Sequence, residues 1–210
     1  MLSKLRRLAA ITATTALLMT GSAFAEGGYE LIDPPQNTST SDKVEVMEFF
    51  WLGCPHCYSL EPTMNEWEKD LPENVEFVRE APPLNKSWET HSRAFYAAQL
   101  MGKEHEFVDV MFKAIHEERK PMRNPKKIAD LAATVGLDRD KFLSTMKSFA
   151  VETRMRRSVQ MAKSAGLTGV PALMINGKYR TGAQLAGGNA GIIDVINETI
   201  AIEKKTMGLE

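Results

Sequence analysis

The chain has 210 residues, 43% of them hydrophobic and 25% charged, which is the composition of a soluble globular protein built as one large domain or two small ones. Its formal net charge is −1 and it carries no long basic run, so nucleic acid is set aside as a partner. Two cysteines are too few for a disulfide-dense scaffold.

The first 25 residues read as a secretory signal peptide. Lys4, Arg6 and Arg7 precede an apolar run from Leu8 to Met19, and Ala23 and Ala25 occupy the small-residue positions of a cleavage site. The run falls short of the roughly 20 residues that a bilayer needs, so a membrane anchor fits less well. Removing the segment takes away three basic and no acidic residues and leaves a mature chain of net charge −4. The expected location is the periplasm, where disulfides persist.

A polar stretch follows, GGYELIDPPQNTSTSD, in which Tyr29–Ile32 is a candidate short edge strand. KVEVMEFFWLG is mostly apolar and β-prone, the pattern of a strand buried on both faces. From Pro55 the period becomes helical, with Cys57, Leu60, Met64 and Trp67 near 3.6 spacing, and Lys69, Asp70 and Pro72 end the helix. NVEFVRE, 74–80, is a second strand, stopped by the prolines at 82 and 83. These three elements form a βαβ unit, which calls for a parallel pair and a right-handed crossover.

No strand pattern occurs from Trp88 to Ala165. Five amphipathic helices are predicted there, over 88–101, 104–118, 125–136, 138–150 and 151–166, with Asp138 as an N-cap. Strand chemistry returns at 172–175 and 178–181 around Asn176-Gly177, a strong hairpin signal. A last helix spans Ala190 to Lys205. The expected organisation is α/β: a first part over 26–86, a helical insert over 87–166 and a second part over 167–210, with strands and helices in the order βαβ, insert, ββα.

Both cysteines lie in FFWLGCPHCYSLEP, 49–62. A bridge between Cys54 and Cys57 closes almost no loop and would constrain little of the unfolded chain, so a structural staple is excluded. Zinc needs four ligands, and His91, His105 and His116 all fall on predicted helices; haem attachment needs a histidine where Tyr58 stands. No metal is expected. A reactive pair remains. Cys54 sits where a strand gives way to a helix, with Pro55 suited to the first helical position. The helix N-terminus, the N–H groups of His56 and Cys57, and a cationic or donating His56 all favour a thiolate on Cys54. Cys54 is thus the expected nucleophile and Cys57 the resolving thiol. Stabilising the thiolate favours the reduced state, so the disulfide is an oxidant.

EFFWLGCPHCYSLEP, the helical insert and GVPALMING together resemble the DsbA family of thiol:disulfide interchange proteins. The resemblance implies a thioredoxin fold (βαβ, then ββα) with an inserted helical domain. It implies that Val170-Pro171 is a cis peptide beside the redox pair, presenting the Val170 backbone to a substrate strand in a sequence-tolerant way. It implies a redox-active Cys54–Cys57 disulfide in place of any cofactor, reduced unfolded proteins as clients, and a DsbB-like membrane reoxidase. Glu48 and Glu61 match acidic positions near the family's active site, which implies proton handling or tuning of thiol pKa values. The alternative for Glu48 is a structural pair with Arg79, and for Glu61 a solvated helix face.

His91, His105 and His116 are expected at the surface or as caps, EERK at 117–120 as a solvated helix end, and the methionines chiefly in the core. A monomer is the expected state. Two other functions compete with a disulfide donor. One is a reductase or isomerase on the same fold, although the 28 residues between Ala25 and Cys54 leave no room for an isomerase's dimerisation domain. The other is a binding or chaperone module whose cysteines are incidental.

Overall fold

The computed structural model describes residues 27–209, so the predicted signal peptide lies outside the described residues. Five strands form one mixed sheet: β1 (Glu30–Leu31), β2 (Val44–Phe49), β3 (Val75–Glu80), β4 (Ala172–Ile175) and β5 (Tyr179–Thr181), in the order β1-β5-β4-β2-β3. β2 and β3 run parallel, joined by helix α1 (Pro55–Glu68), while β4 pairs antiparallel with both β2 and β5. Every residue of β2 is buried, because helices cover both faces of the sheet. Val44 and Val46 pack with Leu60 and Met64 of α1 and with Ile196 of the C-terminal helix; Met47 and Phe49 face the opposite side, towards Ala162.

Between β3 and β4 the chain is helical: α2 (Glu89–Leu100), α3 (Glu104–Phe112), α4 (Pro125–Ala133), α5 (Arg139–Met146) and α6 (Phe149–Ser164), preceded by a single 3₁₀ turn at Lys86–Trp88. A short helix α7 (Ala183–Ala186) and the long α8 (Asn189–Met207) complete the fold. The insert has its own core, including Phe95, Phe107, Phe112, Ile128 and Phe142, and that core is continuous with Phe50, Leu52, Cys54 and Cys57. The cysteine loop is therefore packed between the sheet and the insert.

Two elements differ from the sequence pattern. The boundary between the fourth and fifth insert helices lies at Lys147-Ser148, not at 150–151: the Ser148 hydroxyl accepts the Val151 N–H at 3.3 Å and starts α6 there. The helix expected over 104–118 ends at Phe112 and continues as a widened π turn, Lys113–Glu117.

Candidate active site

β2 runs out at Phe49, and a tight turn through Trp51–Gly53 delivers Cys54 to the start of α1, where it is the N-cap. The Cys54 N–H donates to the Trp51 carbonyl at 2.8 Å, and the Cys57 N–H donates to the Cys54 sulfur at 3.4 Å. Pro55 occupies the first helical position, where a missing N–H leaves nothing unpaired. Cys54 keeps 7% of its surface exposed and Cys57 none; both are free thiols.

The two thiols have opposite chemistry. Cys54 is pulled down from the ordinary value of 9.0 to about 6. The largest cause is the hydrogen bond from the Cys57 thiol, followed, against the opposing effect of burial, by the N–H groups of Cys57 and His56 and lastly by the charge of His56. The sequence points to the helix start, the N–H groups of His56 and Cys57, and the His56 side chain; the Cys57 S–H comes ahead of those N–H groups and of the His56 charge, and His56 itself is exposed. Cys57 is pushed far up by burial and by its bond to Cys54, with a smaller contribution from the Glu48 carboxylate.

Val170-Pro171 is a cis peptide, and the Val170 carbonyl lies 3.6 Å from the Cys54 sulfur. Nothing local in the sequence distinguishes this bond from a trans one; its partner is 116 residues away. Pro171 leads directly into β4, which pairs with β2, so one sheet sets the separation of Val170 and Cys54.

Glu48 and Glu61 converge on a single cation. Arg79 stands opposite Glu48 in the parallel register of β2 and β3, with its Nε 3.3 Å from Glu48 Oε2 and an Nη 2.9 Å from Glu61 Oε1. All three side chains are buried. Glu61 is thus not part of a solvated helix face. Burial raises Glu48 to about 7 despite Arg79, and it raises Glu61 as well, because one guanidinium does not offset the desolvation of two carboxylates.

The histidines also depart from expectation. His91 is 5% exposed; its Nε2 lies 3.1 Å from the Met122 carbonyl and its ring stacks against Trp51. Burial lowers its pKa. The signal for this was present, since His91 shares an i, i+3, i+4, i+7 stripe with Ala94, Phe95 and Ala98, all buried. His116 donates from Nε2 to the Leu52 carbonyl at 2.9 Å and stacks on Tyr58, whose hydroxyl donates to Glu117 at 2.9 Å. The π turn therefore fastens the insert to the cysteine loop. Of these three histidines only His105 is at the surface, beside Glu68.

A sequence profile of the DSBA-like thioredoxin domain matches residues 45–189. The chain belongs to the DsbA family. The thiol:disulfide interchange protein DsbA of Pseudomonas aeruginosa is 41% identical over 160 residues, 76% of each chain, and that of Azotobacter vinelandii is 34% identical over 206 residues, 94% of this chain and 96% of that one. Among solved structures, P. aeruginosa DsbA superposes with a TM-score of 0.81 at 38% identity, covering 86% of this chain and 94% of that one. DsbA of Xylella fastidiosa superposes at 0.79 with 25% identity, covering 84% and 95%. This DsbA family member is a thiol:disulfide oxidoreductase that exchanges disulfides with protein substrates, on a thioredoxin fold with a helical insertion. No helix among the described residues is long and apolar enough to cross a membrane.

Proposed function

We propose that the protein is a periplasmic oxidase that donates the Cys54–Cys57 disulfide to newly exported proteins. The observation that carries this reading is the asymmetry of the pair: an accessible sulfur with a stabilised thiolate beside a sealed thiol held far above its ordinary pKa. DsbA proteins are themselves the standard example of a depressed cysteine pKa and an oxidising disulfide, so the family supplies part of the expectation.

In this mechanism a client thiolate attacks Cys54 Sγ, the only sulfur of the pair within reach. The Cys54–Cys57 bond breaks, and Cys57 leaves with the electron pair and takes up a proton. A second client thiolate then attacks the client sulfur of the mixed disulfide. Cys54 leaves as a thiolate, the better leaving group because its pKa is low, and the client departs oxidised by two electrons. Pro55 fixes the start of α1, so that the N–H groups of His56 and Cys57 meet the Cys54 sulfur. Val170 lends its backbone to the client strand next to the mixed disulfide, held there by Pro171. Glu48, raised to about 7, is suited to supply and recover the Cys57 proton, and Glu61 tunes it through the shared Arg79. The cysteine pair is the whole redox centre, with no other cofactor, and the protein acts as a monomer. A DsbB-like membrane protein restores the disulfide.

The test is the equilibrium of the pair against a glutathione redox series, read by tryptophan fluorescence, together with refolding of a reduced client. An oxidase stays reduced except in strongly oxidising buffer, and Cys54→Ala abolishes client oxidation. A pair that resists reduction in strongly reducing buffer would identify a reductase on the same fold.

A further inference from the structure

The run from Glu117 to Lys127 is not only a solvated helix end. It holds five basic residues (Arg119, Lys120, Arg123, Lys126 and Lys127) against Glu117 and Glu118, in a chain whose overall charge is slightly negative. Four of the five, all except Lys126, line a cavity of about 670 Å³ between this segment and α4. Ala114, Pro121, Met122 and Leu131 line it as well, so apolar and cationic side chains share the cavity with a single carboxylate, Asp130.

The nearby acids are already engaged. Glu118 pairs with Lys120 at 2.6 Å, Asp130 with Arg139 at 2.5 Å, and Glu117 accepts the Tyr58 hydroxyl. Among the described residues, Arg119, Arg123 and Lys127 have no carboxylate within ion-pair distance. The loop is also firmly built. Arg119 and Met122 adopt left-handed backbone at φ 56° and 43°, a conformation that non-glycine residues keep only where the surroundings impose it. Two bonds hold it: the Lys120 N–H to the Ala114 carbonyl at 2.9 Å, and the His91 ring to the Met122 carbonyl.

We infer that this cavity is a second binding site, separate from the cysteine pair, for a client segment that carries a carboxylate beside large apolar side chains. The volume suits one or two such side chains, and the three uncompensated cations supply the charge that a buried carboxylate needs. A concave mouth fits projecting side chains better than it fits a flat anionic membrane. The site is tied to the exchange loop at both ends: His116 and Glu117 bind Leu52 and Tyr58, and the Met122 carbonyl holds His91 against Trp51, which in turn holds the Cys54 N–H. Naming the occupant a client rests on the proposed exchange function; the binding chemistry does not.

The probe is a fluorescently labelled, cysteine-free octapeptide with one glutamate between leucine and phenylalanine, compared with its glutamine counterpart by anisotropy. The full mature chain should bind the glutamate peptide at least tenfold more tightly than the glutamine peptide, and more weakly as salt rises. The variant R119E/R123E/K127E should lose at least tenfold in affinity, and R123Q alone about threefold, with unchanged circular dichroism and unchanged oxidation of a small dithiol. The Cys54→Ser, Cys57→Ser double variant should bind like the wild type, so failure of the oxidase reading leaves this test intact. Equal binding of the two peptides, unchanged binding by the charge-reversed variant, or binding only to phosphatidylglycerol vesicles would overturn the inference.

Discussion

The backbone N–H of Cys57 points at the Cys54 sulfur from 3.4 Å, and the Cys57 thiol proton adds the largest single contribution to the Cys54 thiolate. The resolving cysteine thus tunes the nucleophile before it reacts with anything. Replacing Cys57 with Ala should raise the Cys54 pKa more than replacing His56 with Ala, because the His56 charge is the last of the contributions. Alkylation of the reduced protein against pH measures this directly. The wild type should reach half its maximal rate near pH 6. A larger rise for His56→Ala than for Cys57→Ala would restore the histidine to first place.

The same shift makes the reduced protein's stability depend on pH. Between about 6, the folded value of Cys54, and its ordinary 9.0, the unfolded chain holds a proton that the folded chain has released, so the stability of the reduced form rises with pH across that window. Above 9.0 the sign reverses, because unfolded Cys57 ionises while buried Cys57 does not. The disulfide form has neither group. Denaturant melts of both forms should show the reduced protein's advantage growing from pH 6, peaking near pH 9 and declining beyond it. A difference that is flat across pH 6–9 would contradict a thiolate on Cys54.

The helix boundary at Ser148 has its own consequence. Ser148→Ala removes the acceptor for the Val151 N–H and should cost about 1 kcal/mol, or about 2–4 °C in Tm for a chain of this size. Ser148→Thr keeps a hydroxyl at the cap and should retain most of that stability. Lys147→Ala should be near neutral in the same thermal melts, because the Lys147 side chain makes no capping bond.

What the sequence disclosed and what it withheld divide along contact range. The β2–α1–β3 unit and the Cys54 helix start were legible because strand burial, the first-turn proline and the 3.6-residue period are local properties of 44–80. The hairpin was legible from Asn176-Gly177, where Asn176 and Gly177 both take positive φ. The burial of His91 was legible in its stripe with Ala94, Phe95 and Ala98, but the partners that the histidines find were not: the Leu52 carbonyl lies 64 residues from His116 and the Met122 carbonyl 31 from His91. Phe149 misled the reading of α6: it is 78% exposed, an apolar residue on no buried face, so the apolar pattern joined it to α5 instead of to the helix that Ser148 starts. Arg79 was legible as a partner of Glu48, but its second bond to Glu61 follows from α1 crossing above the β2–β3 pair.

That shared guanidinium leads to the last expectation. Glu48 sits at about 7 in the folded protein against an ordinary 4.5, so between those values the folded state holds a proton that the unfolded state releases, and this group's contribution to stability falls as pH rises. Glu48→Gln should flatten that part of the profile, measured by chemical denaturation from pH 4.5 to 7. Arg79→Met leaves two buried carboxylates without a counter-charge and should cost about 3–5 kcal/mol at pH 8, shrinking on acidification as Glu48 takes up its proton. Combining Arg79→Met with Glu48→Gln should recover part of the loss at pH 8, because one of the two stranded charges is gone. Additive losses in the double variant would mean that Glu48 stays neutral beside Arg79 even at pH 8, holding its proton too tightly to pass it to Cys57 and recover it in turn.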